Sequence, residues 1–85
     1  MTREECVEAA GGDDEILFAD GFDEAILGVA QRFNDLFVVY DKQKVINIMV
    51  KRDGMTHQEA LEFFDFNIVG AFVGPYTPAF VDRSL

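Results

Sequence analysis

The stretch from Asp53 to Pro75 constrains the fold more than any other part of the chain. It reads Asp-Gly-Met-Thr-His-Gln-Glu-Ala-Leu-Glu-Phe-Phe-Asp-Phe-Asn-Ile-Val-Gly-Ala-Phe-Val-Gly-Pro. Gly54 suits the left-handed residue that ends many helices. Thr56 and Glu59 form a capping box that opens the next helix, with Met55 placed to staple onto Ala60. Gly74-Pro75 forbids its continuation. The spacing therefore predicts two helices meeting at a corner, the second running to about Val73.

The flanking residues supply the rest of a domain. Asp41 suits an N-cap. From Lys42 to Arg52, Val45, Ile46, Met49 and Val50 share one helical face. Lys51 and Arg52 close that helix favourably at its negative end. Leu36 to Tyr40 is a continuous β-branched and aromatic run, expected as a central strand. Asn34-Asp35 reads as a turn before it. Residues 25–33 have two readings: a strand, or a helix capped by Asp23. In the strand reading Gly28 marks a bulge or close approach. Ile16 to Ala19 reads as a first strand, followed by the turn Asp20-Gly21-Phe22-Asp23. Thr77 to Val81 reads as a last strand, confined by Pro78 to an edge or to its first residue. The expected order is β-β-β-α-α-β. It describes an α+β domain with two helices packed on one face of a small antiparallel sheet. A mostly helical domain follows if residues 23–33 are helix.

Charge divides the chain. Among residues 1–24, Arg3 stands against nine carboxylates, a balance of −8 out of the total −9. Residues 1–14 are expected as an acidic, mobile segment, and residues 15–85 as a single domain. Thr2 and Glu5 are spaced to cap a short helix there. A surface of this sign does not bind nucleic acid directly. It is attracted to basic proteins. The only cysteine, Cys6, excludes an internal disulfide and fits a reducing compartment. No apolar run reaches the roughly 20 residues of a membrane span. Neither the basic start nor the apolar run of a secretory signal opens the sequence. A cytoplasmic protein without membrane contact is expected.

Nothing in the sequence assembles a catalytic set. His57, the only histidine, stands at the start of a helix without a ligand partner at suitable spacing. Gly70 and Gly74 lie late in a helix, with no phosphate-loop lysine after them. Asp20, Asp23 and Glu24 offer oxygens of the kind calcium and magnesium take. Position 31 is Gln where a calcium loop needs Glu. No cofactor or metal is expected. The informative surplus is apolar. Ala60, Leu61, Phe64, Ile68 and Phe72 make one helical face, while Phe63, Phe66, Val69 and Val73 lie beside it. That width exceeds one core-facing stripe. Phe63, Phe66, Val69, Phe72 and Val73 are therefore candidate interface residues, and a two-fold homodimer is expected to bury them.

Several phrases resemble a known group. They are Ala25-Ile26-Leu27-Gly28, Val39-Tyr40-Asp41, Asp53-Gly54-Met55-Thr56, Glu59-Ala60, Phe66-Asn67-Ile68-Val69-Gly70-Ala71-Phe72-Val73-Gly74 and Thr77-Pro78. Together they resemble a family of small proteins found largely in tailed bacteriophage genomes. The likeness begins at Asp20, and its most specific part is the Phe-Asn-x-x-Gly-Ala stretch. It implies action in the cytoplasm of an infected bacterium. It brings no assigned activity and transfers no site residues. The resulting expectation is a small non-enzymatic accessory protein acting by protein–protein binding, with a host or phage protein as a possible partner. Two alternatives stand beside it: an acidic inhibitor that mimics nucleic acid toward a host protein, and a metal-binding enzyme domain using Asp20, Asp23 and Glu24.

Overall fold

A computed structural model of the chain describes residues 1–12, 15–69 and 74–83. It is an α+β fold built on a hairpin. Strand β1 (Ile26–Arg32) pairs antiparallel with β2 (Asp35–Asp41). Residues 26–32 are thus a strand, preceded by one 3-10 turn at Asp23–Ala25. The register slips between Ile26 and Gly28, so Leu27 is an extra residue in the ladder. That bulge gives Gly28 its place in the strand.

Arg32 pairs with Asp35, leaving Phe33 and Asn34 as a two-residue turn. Phe33 takes φ 55°, the left-handed region that such hairpin turns require and that a bulky side chain resists. The turn therefore lies one residue earlier than the sequence suggests. Hairpin twist, and not residue preference, decides the point.

Helix α2 (Lys42–Arg52) follows β2 directly, with the Asp41 carboxylate accepting from the Lys44 N–H. Val45, Ile46 and Met49 are buried. Gly54 takes φ 69° and turns the chain into α3 (His57–Phe63). Both halves of the Thr56–Glu59 capping box form. The helix then departs from α geometry. Phe64–Ile68 is a π-helical turn, in which the Val69 N–H reaches back five residues to the Phe64 carbonyl at 2.9 Å. Gly70 to Val73, the expected end of this helix, lie outside the described residues.

Strand β3 (Ala79–Val81) begins directly after Pro78 and takes the edge beside β2. It runs parallel to β2, which corrects the expectation of an all-antiparallel sheet. The reason is topological. Two helices between the strands form a crossover long enough to return the chain to the same end.

One further expectation changes. Ile16 to Ala19 is not a strand. Its buried Ile16 and half-buried Phe18 join the core, but the Ala19 N–H donates to the Tyr40 hydroxyl at 2.8 Å instead of to a ladder. The observed order is therefore α-β-β-α-α-β. The short helix that the Thr2–Glu5 spacing allows is present as α1 (Arg3–Ala9), opened by that capping box. Cys6 is fully buried and Ala10 nearly so. Arg3 ties the helix to the next loop through Asp20 at 3.0 Å and Asp23 at 2.9 Å.

Helices α1, α2 and α3 all contribute to one core, together with Ile26, Val38 and Tyr40 of the sheet. Phe80 of β3 stacks on Tyr40 at 5.4 Å and meets the edge of Phe64 at 5.0 Å. All of this lies on one face of the sheet. Strand alternation sends Ala30, Phe37, Val39, Ala79 and Val81 to the other face. None of those five belongs to the core or to the apolar side chains packed against it.

Candidate functional site

Around α3 and the π turn the apolar side chains divide cleanly in space. Ala60 and Phe64 are buried, with Leu61 and Ile68 packed on the core. Phe63 is 41 % exposed, Val69 54 % and Phe66 83 %. Helical spacing accounts for the split, since Phe63 and Phe66 lie off the face shared by Ala60, Phe64 and Ile68. The π turn at Phe64–Ile68 adds one residue to the turn that carries Phe66. Such turns cost hydrogen-bond quality and are frequent at functional sites. Phe72 and Val73, the remaining two candidate residues, lie outside the described part of the chain.

Two hollows flank the π turn. One, of about 360 Å³, is lined by Met55, Glu59, Glu62, Phe63, Phe66 and Asn67. Its floor is apolar and its rim carries carboxylates. Glu59 also accepts from the Thr56 N–H, and this bond holds its carboxyl below the ordinary range. The other hollow, of about 260 Å³, gathers Phe18, Asp20, Phe22, Asn67, Thr77 and Phe80 among its walls. It brings together chain segments that the sequence keeps apart: the Asp20 turn, Asn67 and Thr77-Pro78.

The remaining candidates are placed as follows. Arg3 sits between Asp20 and Asp23, so both carboxylates already hold a cation. Glu24 is exposed on the neighbouring turn. Among the described residues no group of three His, Cys, Asp or Glu side chains is arranged to hold a metal ion. His57 is exposed at the first turn of α3. Cys6 is buried, and burial raises its thiol pKa above the usual 9.0, a shift away from reactivity. No described helix is long and apolar enough to cross a membrane.

One feature escaped the sequence reading. Lys44, Asn47, Ile48 and Lys51 line a shallow cleft of about 540 Å³ against Gly21 and Glu24. The i, i+4, i+7 spacing of Lys44, Ile48 and Lys51 was visible, but an exposed lysine pair on a helix is ordinary solvation. Arg52 at the same cleft is occupied: it donates to the Gly21 carbonyl at 2.6 Å and pairs with Asp53 at 3.0 Å.

Searches of protein-family models, of curated proteins and of solved structures find no match to this chain.

Proposed function

We propose that this chain is a non-enzymatic binding protein that docks on another protein through Phe63, Phe66 and Val69. One observation carries the reading: Phe66 keeps 83 % of its surface in water, on a π-helical turn whose other side is fixed in the core. Burying an aromatic ring of this kind contributes roughly 2–3 kcal/mol, which makes it a suitable anchor for a partner.

The acidic rim narrows the partner. Self-association through this surface would set Glu59 and Glu62 of two copies near one another, a like-charge contact that costs affinity. A different protein with a basic rim is favoured. The resemblance to phage proteins supplies the setting we propose: the cytoplasm of an infected bacterium, with a host or phage protein as partner.

Affinity capture from infected cells tests the reading with three baits: wild type, Phe66→Asp and Phe33→Asp. The expected result is a protein held by wild type and by Phe33→Asp and lost with Phe66→Asp. Identical eluates from wild type and Phe66→Asp would overturn it.

A further inference from the structure

The sheet has a second apolar face, and its composition is self-complementary. On β1 that face carries Gly28, Ala30 and Arg32. Directly opposite on β2 stand Val39, Phe37 and Asp35. Each pair sets a small residue beside a large one, or a cation beside an anion. The Arg32 guanidinium lies over the Phe37 ring at 5.4 Å, which confirms that these side chains share one face. Arg32 and Asp35 make no ion pair with each other, nor does either pair with another described residue.

We propose that this face is a homodimer interface, in which two sheets pack face to face about a two-fold axis running between β1 and β2. That axis exchanges the two strands. Ala30 then faces Phe37 of the partner subunit, and Arg32 faces Asp35 of the partner subunit. Bulk meets space at the first level and charge meets opposite charge at the second, while Met1, whose Sδ lies against Gly28, borders the far end of the face. The packing is the aligned sheet-on-sheet arrangement, about 10 Å between layers.

Charge also favours a second copy as the occupant. The chain carries −9 overall, so two copies repel over most of their surface. This face cancels within itself: Arg32 against Asp35 at one end, and Asp41 paired by Arg83 at 3.6 Å at the other. It is where a second copy approaches without penalty.

Size sets the strength. Three strands of at most seven residues give a face of roughly 14 by 23 Å, below the roughly 800 Å² per partner of a standard interface. Phe33 stands at the end of it, 90 % exposed and held at φ 55°. The hairpin turn sets that conformation, and the exposed ring borders the face at its turn end. A weak, concentration-dependent dimer is expected.

Sedimentation equilibrium of the full chain, from micromolar to millimolar concentration, tests the proposal. Wild type is expected to pass from monomer to dimer. Ala30→Phe fills the small position with a residue strands favour, so it should stay folded by circular dichroism and weaken the dimer about tenfold or more, a change of about 1.4 kcal/mol. Arg32→Glu alone and Asp35→Arg alone should each weaken self-association, while their mixture dimerises. Phe66→Asp should leave the dimer unchanged, which separates this interface from the docking surface on the π turn. A wild-type monomer throughout the range would overturn the proposal. So would a dimer lost with Phe66→Asp, or mixed charge variants that stay monomeric.

Discussion

The two faces of the sheet are built from the same run of residues and meet opposite surroundings. Along β2, Leu36, Val38 and Tyr40 point at three helices, while Phe37 and Val39 point away from all of them. Val38 is fully buried and its neighbour Val39 only partly so. The π turn repeats the contrast, with Phe64 inside and Phe66 outside. A domain of this length buries a limited share of its surface. It has enough helix for one face of a sheet. The apolar residues beyond that number are the ones we propose meet partners.

The largest effect should separate the two phenylalanines. Phe64→Ala empties a site between Phe80 and the core and should cost about 3–5 kcal/mol. Phe66→Ala should change stability by no more than about 0.5 kcal/mol. Chemical denaturation of both variants measures the difference, and equal losses would mean that the π turn does not divide the helix as described.

Next in size is the pair of valines. Val38→Ala should cost about 2 kcal/mol, as for a fully buried aliphatic side chain. Val39→Ala, measured at concentrations where the chain is monomeric, should cost less than half as much. A larger loss at Val39 would place the true core on the other face.

The smallest effect at neutral pH concerns groups on the covered face. Burial raises the pKa of Tyr40 above its ordinary 10.0, offset in part by the Ala19 N–H, and raises that of Cys6 above 9.0. A raised pKa means that the folded state holds its proton more tightly. The stabilisation is complete below the ordinary values and is lost as pH rises through the folded ones. Melting temperature should therefore stay level from pH 7 to about 9 and fall above that. On the acid side Glu5, Asp53 and Glu59 have lowered values, each from a specific hydrogen bond. Their contribution is present above the ordinary values, 4.5 for the two glutamates and 3.8 for Asp53, and is lost as pH falls through the lowered ones. A melting temperature unchanged at pH 11 would show that Tyr40 and Cys6 are not shielded as described.

Much of this was legible in single residues with local jobs. Asp41, Gly54, Thr56 with Glu59, and Pro78 each mark a boundary through their own backbone chemistry, and each stands where the sequence places it. Ile16 to Ala19 misled because apolar content does not say whether a ladder partner exists. Here a tyrosine hydroxyl takes the backbone donor. The cap of the amino-terminal helix was legible in Thr2 and Glu5, but its anchors were not, because they are small and distant in sequence: Cys6, Ala10 and one arginine reaching Asp20 and Asp23. The direction of β3 depends on the path of a whole crossover, and the π turn on one extra residue between two fixed ends. Neither leaves a local signature. The second apolar face did leave one. The unbroken run from Leu36 to Tyr40 is what a strand buried on both faces looks like, and among the described residues only one face is packed into the core.

Val38 and Val39, adjacent on β2, point to the two faces of the sheet. With the valine methyl groups isotopically labelled, a water-soluble paramagnetic agent reports how far each lies from solvent. Val38 should be shielded at every protein concentration. Val39 should be strongly relaxed in dilute solution and become shielded as the concentration rises into the dimer range. Val39 as shielded as Val38 in the most dilute sample would mean that the chain covers both faces itself, and would contradict the account.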